Sequence, residues 1–381
     1  YFGVNMKQGW ELKKLGEVCN VGYGTRVVNK RDGGSIYPVY GGGGPTFFMD
    51  TFNRADCLVV GRFALSEKCT RFVKGQFFLN DSGLTVSPLN KNELFQNFLN
   101  LQLLFLNDYI YSLAKGAAQK NLDVSAFKNI EIHYPKSLPE QERIVSILDK
   151  AFSAIDQAKQ NAKKNLKNAK ELFDSYLTGI FANKGEDWEI KKLGEVCQTG
   201  AGGTPLKIHK EYYENGNIPW LRSGEVDKKD ITNCELFITE QGLNNSSAQL
   251  FPVNTVLVAM YGATAGQVGI LRFECSTNQA VCGILPNEKF IPEFLYYKFL
   301  CCKDELVSQA VGGAQPNISQ IKIKNTLVPI PPLPEQEKIV QKLDALSVET
   351  KQLEDIYQQK VNELEDLKKS ILQKAFNGEL I

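Results

Sequence analysis

The sequence predicts an α+β protein. It is expected to consist of two mixed α/β domains in a pseudo-twofold arrangement, separated by two long helices packed as an antiparallel coiled coil. Two observations predict this fold: a pair of motifs that occurs twice, and a seven-residue apolar spacing that follows the second motif in each copy. The predicted boundaries are 1–137 for the first domain, 138–185 for the central helix, 186–332 for the second domain and 333–381 for the C-terminal helix.

The repeat is almost exact at its two ends. Trp10 to Cys19 returns as Trp188 to Cys197, and Leu138 to Val145 returns as Leu333 to Val340. The second copy has about 17 more residues between its two motifs than the first copy has. Fixed ends with different middles indicate a frame that repeats and surfaces that do not, as in a bipartite recognition protein.

The two helices are predicted from apolar or small side chains at alternating spacings of four and three. Each helix is expected to start just after Pro139 or Pro334 and to stop near Gly185 or Gly378, which gives a length of roughly 60 Å. Each seam contains one polar residue, Asn165 or Lys360, that could fix the register. The seam residues are Ile144, Leu148, Ala151, Ile155, Ala158, Ala162, Ala169, Leu172, Tyr176 and Ile180, and then Ile339, Leu343, Leu346, Thr350, Leu353, Tyr357, Leu364, Leu367 and Ile371.

Amphipathic helices of this length need a partner. Effective concentration favours pairing of the two seams within one chain, antiparallel because a whole domain lies between them. A coiled coil that only joins two copies of the protein is the alternative.

The regions between the motifs are predicted to be mixed and rich in β-structure. The apolar runs predict strands at Cys57 to Val60, Leu84 to Val86, Thr255 to Val258 and Val281 to Leu285, and helices at Glu93 to Leu106 and Pro292 to Cys302. Residues 241–271 carry no charge, but Pro252, Asn254 and Gln267 interrupt them. That stretch therefore predicts paired strands and a turn, not a membrane span.

The charge is distributed unevenly along the chain. The net charge of the 381 residues is +1, yet residues 1–136 carry 16 Lys and Arg against 11 Asp and Glu, and residues 188–332 carry 13 against 14. A net charge near zero by itself argues against a nucleic-acid-binding protein. If this chain binds DNA, it is expected to do so weakly alone and with a more basic partner. The first residues lack a charged segment followed by an apolar run, so we expect no signal peptide and a cytoplasmic protein. Residues 1–5, before Met6, are expected to be an expression remnant.

No motif for catalysis or metal binding is found in the sequence. Gly41 to Gly44 are followed by Pro45 instead of a helix with Lys and Ser or Thr, so no phosphate-binding loop is predicted. The Asn/Asp-Pro-Pro-aromatic motif of amino-methyltransferases is absent, as are GxSxG and HExxH. The nine cysteines form no paired CxxC set, and His133 and His209 are the only histidines, so reduced thiols and no metal site are expected.

Loops rich in Gly, aromatic and polar residues are the candidates for DNA contact. Glycine lets the backbone approach a phosphate, and Arg, Asn, Gln and Ser supply hydrogen bonds to base edges. Considered by itself, Trp220 is expected to lie in the core. A Gly-x-Ala-Gln-x-Asn element, at Gly116 to Asn121 and again at Gly312 to Asn317, precedes each final strand. It is either a turn held by its own side chains or a base contact, or both.

The predicted DNA-contact residues are spread over both domains. In the first domain they are Tyr23, Thr25, Arg26, Tyr40, Gly42, Gly43, Arg62, Lys68, Asn80, Ser82, Lys115 and Lys120. In the second domain they are Thr204, Lys207, Lys210, Arg222, Ser223, Ser246, Tyr261, Thr264, Asn278, Gln279, Gln315 and Asn317.

With these residues in view, the chain resembles the specificity subunit of a type I restriction-modification system. The resemblance is carried by the Leu-Pro-Glu-Gln-Glu helix starts, by Leu372 to Leu380, and by Val258 to Thr264 with Thr277 to Ala280. Pro38 to Gly44 and Val59 to Arg62 resemble another variant of the same domain. The match extends from Trp10 over essentially the whole chain.

The resemblance implies a non-catalytic protein with two target recognition domains, each of which reads one half of an asymmetric split sequence in double-stranded DNA. It implies that the helices set the spacer and dock two methyltransferase (modification) subunits, with restriction subunits completing the complex. No cofactor is then expected on this chain, since S-adenosylmethionine, ATP and Mg²⁺ would bind the partner subunits. No membrane association is implied.

Three alternatives remain open at this stage. The chain could be the specificity protein of a related system in which cutting and methylation share one partner polypeptide. It could be a self-standing methyltransferase, which the missing catalytic motifs oppose. It could also be a coiled-coil scaffold that does not bind DNA. DNA binding that is weak without a partner, and strong and sequence-dependent with one, would favour a specificity subunit over the scaffold.

Overall fold

The structure is a computed structural model that describes residues 8–183, 185, 188–308 and 317–380. The chain divides into two compact units. Unit 1 lies within Tyr1–Lys163 and Gln358–Ile381, and unit 2 is Lys164–Tyr357. Each unit contains one β-rich domain together with part of each long helix, and the α+β fold class predicted from the sequence is confirmed.

Unit 1 is built around a six-stranded mixed sheet. Its helices are α1 (Leu15–Val18), α2 (Asn29–Asp32), α3 (Gln96–Phe105), α4 (Asn107–Ser112) and α5 (Val124–Lys128), followed by the start of α6 (Leu138–Ala182). Its strands are β1 (Trp10–Lys14), β2 (Cys19–Tyr23), β3 (Tyr37–Tyr40), β4 (Pro45–Met49), β5 (Arg54–Gly61), β6 (Thr70–Leu79), β7 (Gly83–Pro88), β8 (Ala114–Lys115), β9 (Asn121–Leu122) and β10 (Glu131–Pro135).

The sheet order is β2-β7-β5-β6-β3-β4, and β3 runs parallel to β6 while the other neighbours are antiparallel. Helix α3 covers one face of the sheet, because its Phe98, Leu99 and Leu103 are fully buried in the same apolar cluster as strand residues of β5 and β7. Burial of a side chain of this size contributes about 1.5–3 kcal/mol. The cluster thus fixes the strand ends from which the loops emerge.

Unit 2 repeats the plan with different sheets. Its helices are α7 (Leu193–Val196), α8 (Glu240–Asn244), α9 (Pro292–Cys301), α10 (Lys303–Ser308), α11 (Gln320–Asn325) and most of α12 (Leu333–Phe376). Its strands are β11 (Glu189–Lys192), β12 (Thr199–Ala201), β13 (Ile218–Leu221), β14 (Asp230–Ile231), β15 (Phe237–Ile238), β16 (Leu250–Phe251), β17 (Val256–Ala259), β18 (Val268–Leu271), β19 (Cys275–Thr277), β20 (Val281–Ile284) and β21 (Leu327–Ile330).

Two sheets form the domain of unit 2, in the orders β12-β20-β17-β18-β14 and β15-β13-β19-β16. Every residue of β17, β18 and β20 is buried, which explains why the parts of the uncharged stretch 241–271 that form β17 and β18 are apolar. The predicted paired strands are present there, at β17 and β18. Helix α8 was not predicted; it starts where the Thr239 hydroxyl accepts a hydrogen bond from the Gly242 amide.

The first repeated motif forms the same local structure in both units. β1 pairs with β10, and β11 pairs with β21, both antiparallel. A Cβ added at Gly16 would lie 3.1 Å from the Lys128 Cβ, and one added at Gly194 would lie 3.1 Å from the Lys324 Cβ. Glycine is therefore needed in both copies, because the short helix that follows the strand packs closely on a second short helix.

In unit 1 the two long helices run antiparallel. Lys159 pairs with Glu365, and Lys368 pairs with Asp156 at 3.2 Å, so residue numbers rise along one helix as they fall along the other. The end of α12 is also anchored, since Phe376 is fully buried with its ring centroid 5.4 Å from that of Phe98. The predicted pairing of the seams within one chain is confirmed for this unit.

The predicted seam is correct only in part. Ile144, Leu148, Ile155 and Ala169 are buried as expected, but Asn165, Leu172 and Tyr176 are exposed, and Phe173, Leu177 and Phe181 pack into the core of unit 2 instead. An α-helix with 3.6 residues per turn drifts by about 20° per heptad against a 3.5 repeat, so the inward face moves on by one residue. In α12, likewise, Lys360, Leu353 and Leu367 are exposed and Val361 is buried.

The remaining differences are small. Helix α3 begins at Gln96, later than the predicted Glu93, and both long helices begin one residue before their proline. All nine cysteines are free thiols. Within the described part of the chain, every helix is too short or too polar to span a bilayer.

Candidate nucleic-acid interface

In unit 1, predicted DNA-contact residues gather where several strands end. The Asn80 amide donates to the Tyr40 carbonyl at 2.8 Å, and the Arg62 amide donates to the Ser82 carbonyl at 2.8 Å. The Thr25 amide reaches the Leu79 carbonyl at 3.0 Å. We call this group the unit 1 loop cluster; it contains Tyr23, Thr25, Tyr40, Gly42, Arg62, Asn80 and Ser82.

Arg62 is held over two aromatic rings within the cluster. Its guanidinium carbon lies 5.1 Å from the Tyr23 ring centroid and 4.4 Å from the Phe63 centroid. The Tyr23 side chain is 46% exposed. A half-buried guanidinium stacked beside an exposed tyrosine has a fixed direction and can still donate outward, as base recognition requires.

The glycine run is fixed by a residue that was not predicted. Arg71, on β6, donates through Nη2 to the Gly42 carbonyl at 2.7 Å and to the Lys68 carbonyl at 3.0 Å, and through Nη1 to the Gly43 carbonyl. Gly42 is buried, and a Cβ there would lie 2.3 Å from the Phe63 carbonyl oxygen. Arg71 therefore holds the loop, and burial lowers the pKa of its guanidinium.

Some predicted residues of unit 1 have structural contacts of their own. The Asn80 side chain accepts from the Ser82 amide at 2.9 Å and so closes the turn between β6 and β7. Lys115 pairs with Asp123 at 2.6 Å, and this ion pair lowers the pKa of the Asp123 carboxyl. Lys120 lies over the Tyr111 ring at 4.7 Å. Arg26, Gly43, Lys68, Lys115 and Lys120 are exposed.

In unit 2, three loops meet around Gly203. The Gly203 amide donates to the Thr277 carbonyl at 2.9 Å, and its own carbonyl accepts from the Trp220 indole at 2.9 Å. Trp220 is buried, which agrees with the core position favoured by the sequence. The Thr204 hydroxyl donates to the Gln279 side chain. A Cβ at Gly203 would lie 2.2 Å from the Ala248 amide nitrogen, which places the loop of Ser246 against the same glycine.

A second group of predicted residues lies beside this one. The Met260 amide donates to the Ala280 carbonyl at 2.7 Å, and Tyr261 forms an isolated bridge with Asn317. The Thr264 hydroxyl donates to the Tyr261 carbonyl at 3.3 Å, and the Asn278 side chain accepts from the Ala280 amide at 3.2 Å. The unit 2 loop cluster is thus Thr204, Ser246, Tyr261, Thr264, Asn278, Gln279 and Asn317. Gln315 lies outside the described residues.

Arg222 and Ser223 belong to the turn that follows β13. The Arg222 guanidinium pairs with Glu235 at 3.1 Å, and its amide donates to Glu225 at 2.8 Å. Both charged side chains of the ion pair are at least half exposed. DNA phosphates or bases could replace such a contact at little cost, because exposed ion pairs contribute about 0–1 kcal/mol.

One apolar loop in unit 2 was not predicted. Lys207 and Lys210 are exposed as expected. Two apolar neighbours are exposed as well: Leu206, just before Lys207, is 64% exposed, and Ile208, just after it, is 84% exposed. The loop is anchored, since the Tyr213 hydroxyl donates to the Pro205 carbonyl. Apolar side chains flanked by lysines can press on a base step while the cations meet phosphates.

The two loop clusters are built from groups that form hydrogen bonds and ring contacts. Among the residues that the structure describes, no group of three or more His, Cys, Asp and Glu side chains is placed to hold an ion. The groups that converge in each cluster are backbone amides, hydroxyls, carboxamides, guanidinium groups and aromatic rings.

Comparison with protein families identifies a family for this chain. The family model described as the type I restriction modification DNA specificity domain matches the chain twice, at residues 7–168 and 185–365. The chain belongs to this family. The resemblance noted from the sequence is confirmed, and the family is defined by DNA specificity rather than by catalysis.

Individual relatives of this specificity-domain family agree. The chain is 29% identical over 232 residues to the type I restriction enzyme EcoR124I/EcoR124II specificity subunit of Escherichia coli, which covers 60% of this chain and 55% of that one. It is 26% identical over 341 residues to the MjaVIII specificity subunit of Methanocaldococcus jannaschii, with 80% and 76% covered. The chain spans about half the length of the first of these relatives.

A solved structure shares the fold. A chain from a study of complex assembly and conformational transition of the type I R-M system matches with a TM-score of 0.79 at 19% identity, covering 99% of this chain and 100% of that one. The fold of this chain therefore also occurs in a solved protein structure.

Proposed function

We propose that this chain is the non-catalytic DNA-recognition subunit of a type I restriction-modification complex. Each of its two domains reads one half of an asymmetric, split target in double-stranded DNA. The domains are residues 1–137 and 186–332, and the helices 138–185 and 333–381 set the spacer between the half-sites.

One observation carries the proposal: a single frame occurs twice and presents two different loop clusters. The frame pairs β1 with β10 and β11 with β21 in the same antiparallel arrangement. The clusters differ in chemistry, with a stacked arginine and a glycine run in unit 1 and hydroxyls, carboxamides and Tyr261 in unit 2. Two different sets of donors and acceptors read two different base sequences.

The proposed base contacts are side chains that reach solvent and are held in direction. In unit 1 these are the half-buried Arg62 and the exposed Tyr23. In unit 2 they are Gln279 and Tyr261 of the loop cluster and Arg222 of the turn that follows β13. The exposed lysines Lys68, Lys115, Lys120, Lys207 and Lys210 and the exposed Arg26 contact phosphates, which position the protein without specifying sequence.

The partners follow from the charge and from the relatives. Several specificity subunits similar to this chain are named as parts of type I restriction enzymes. A net charge of +1 is small for a protein that must hold DNA alone. We infer that two modification subunits dock on the helices and add basic surface, that restriction subunits join them, and that S-adenosylmethionine, ATP and Mg²⁺ bind those partners in the cytoplasm.

The test is to co-express the chain with its neighbouring modification subunit in a host without DNA methylation and to map modified bases across the genome. A split, asymmetric motif with adenines methylated on opposite strands of its two halves is the expected result. An assembled complex that adds no methylation would favour the scaffold alternative instead.

A matched pair of variants makes the test residue-specific. Tyr261, in the unit 2 loop cluster, is 39% exposed, and Phe72, an aromatic residue of unit 1 outside the predicted contacts, is 41% exposed. Tyr261→Ala should degrade the motif read by the second domain only. Phe72→Ala should leave that half of the motif unchanged.

A further inference from the structure

Each long helix has a buried glutamine in its first turn. In unit 1, the Gln141 side chain is 0% exposed. Its oxygen accepts from the Phe95 amide at 2.7 Å, and its nitrogen donates to the Glu93 carbonyl at 2.8 Å and to the Pro135 carbonyl at 2.7 Å. Both N–H groups and the oxygen of the carboxamide are thus in use.

Unit 2 contains the same arrangement. Gln336 is also 0% exposed, accepts from the Ile291 amide at 2.9 Å, and donates to the Lys289 carbonyl at 2.8 Å and the Pro331 carbonyl at 2.9 Å. In both units the amide that donates to the glutamine belongs to the residue just before a domain helix, α3 or α9. The proline carbonyl that accepts from the glutamine lies at the end of the strand that leads into the long helix, or one residue after it.

We name these two sets of three hydrogen bonds the glutamine clamps. Each clamp joins three separate segments: the long helix, the strand before it and the start of the domain helix. An apolar side chain could fill the same volume, but it would leave one amide and two carbonyls buried without a hydrogen-bond partner, which is destabilising. The carboxamide is needed because it holds all three segments in one geometry.

The surroundings of the clamps differ, while the clamps do not. In unit 1 the Glu93 carboxylate also accepts from Lys13 at 2.7 Å and from the Tyr134 hydroxyl at 2.7 Å, and these bonds lower the pKa of Glu93. In unit 2 the corresponding position is Lys289, whose side chain cannot accept such bonds. Because the clamp hydrogen bonds are the same in both units although the neighbouring side chains differ, we infer that the repeated frame requires them.

We propose that Gln141 and Gln336 are positioning residues that set the angle of each recognition domain on its long helix and thereby the spacer length that the protein accepts. The inference rests on the proposed function. Without a clamp the domain helix is no longer pinned to the long helix, and the domain rocks on its strand connection. Base contacts within a half-site persist, but the distance between half-sites becomes less strictly defined.

The experiment uses the full chain with its modification subunit and a set of DNA targets. Each target carries both half-sites of the wild-type motif, separated by the native spacer or by a spacer one or two base pairs shorter or longer. Methylation rates are compared for wild type, Gln141→Leu, Gln336→Leu and the control Gln76→Leu. Gln76 is an exposed glutamine on β6 of unit 1, outside the glutamine clamps, the two loop clusters and the two long helices.

Either clamp variant is expected to reduce the preference for the native spacer on the order of tenfold, which corresponds to about 1.4 kcal/mol. The half-site sequences should stay as in wild type, and the control should keep the full preference. Hydrogen exchange should also become faster at the Phe95 amide in Gln141→Leu and at the Ile291 amide in Gln336→Leu.

The outcomes separate the two proposals. A wild-type complex without a split motif would refute the proposed function. A wild-type split motif with unchanged spacer preference in both clamp variants would refute only the positioning role. If the leucine variants do not assemble, Gln141→Met and Gln336→Met replace them, and failure of these to assemble would assign the glutamines a purely structural role and overturn the inference.

Discussion

Replacing Arg71 should damage one recognition surface and leave the other intact. Arg71 is the residue that ties the glycine run to β6, through the carbonyls of Gly42, Gly43 and Lys68. In Arg71→Met the side chain keeps its apolar stem but loses every one of these donors. The loop then samples other conformations, since glycine restricts the backbone less than any other residue.

The magnitude follows from which carbonyls can return to water. Gly43 is exposed, so its carbonyl finds water at little cost, whereas Gly42 is buried. We therefore count only the loss of the hydrogen bond from the Arg71 guanidinium to the buried Gly42 carbonyl. The free energy of unfolding is expected to fall by about 1.5–3 kcal/mol. Disorder in the loop should weaken the first half-site by roughly 1–3 kcal/mol, comparable to one lost base contact.

Thermal unfolding of the chain and methylation of half-site libraries measure the two effects. Arg31→Met is the control, because Arg31 has a side chain 73% exposed and pairs only with the adjacent Asp32; its effect should stay within about 0.5 kcal/mol. Arg71→Lys retains the charge without the planar fork of donors, and should restore only part of the loss.

Two results would refute this reasoning. Full recovery in Arg71→Lys would show that charge alone matters, and hence that Arg71 acts on phosphate and not on the loop. Equal weakening of both half-sites in Arg71→Met would show a general loss of folding, because the glycine run belongs to the first domain.

Four further outcomes are expected. Tyr261→Ala or Arg222→Ala should relax the second half-site only, by roughly 1–3 kcal/mol per lost base contact, as measured by methylome mapping; an unchanged motif contradicts this. Inserting one heptad in both long helices, about 10 Å, should change the accepted spacer and neither half-site, as read by the same mapping. Phe376→Ala should lower the free energy of unfolding by about 3–5 kcal/mol in denaturant titration, since it leaves a cavity beside the α3 rings. Burial raises the pKa of Cys19 and of Cys282 to about 12, so at pH 8 both should be almost entirely protonated and resist alkylation in mass spectrometry while unfolded protein reacts readily.

The long helices were predictable because apolar spacing is a local signal. The same signal misplaced Leu172 and Tyr176, which are exposed, because a strict heptad does not follow the inward face of a 3.6-residue helix over many turns. The register of the far end is decided by what the helix packs against in unit 2, including the buried Phe294 and Tyr297. Sequence spacing contains no information about those partners.

In the candidate site, too, local sequence signals were predictive and long-range contacts were not. Gly, Tyr, Asn and Gln in loops could be selected by residue type, and many of the selected residues do gather in the two clusters. Arg71 and the glutamine clamps could not be found this way, because six of their nine described contacts join residues 28 to 48 positions apart in the chain. The parallel pairing of β3 with β6 has no local signature either, yet it brings Tyr40 next to Asn80.

The pattern of repetition itself separates frame from recognition surface. Residues that repeat have the same contacts in both units: the Leu15 amide donates to the Ile130 carbonyl at 2.8 Å, and the Leu193 amide donates to the Thr326 carbonyl at 2.9 Å. The sheets between these fixed points share neither strand order nor strand number. Under the proposed function, the two half-sites must therefore differ and the target is not a palindrome. It also follows that substitutions in the loop clusters can alter either half-site while the strand pair, the short helices and the glutamine clamps keep the frame unchanged.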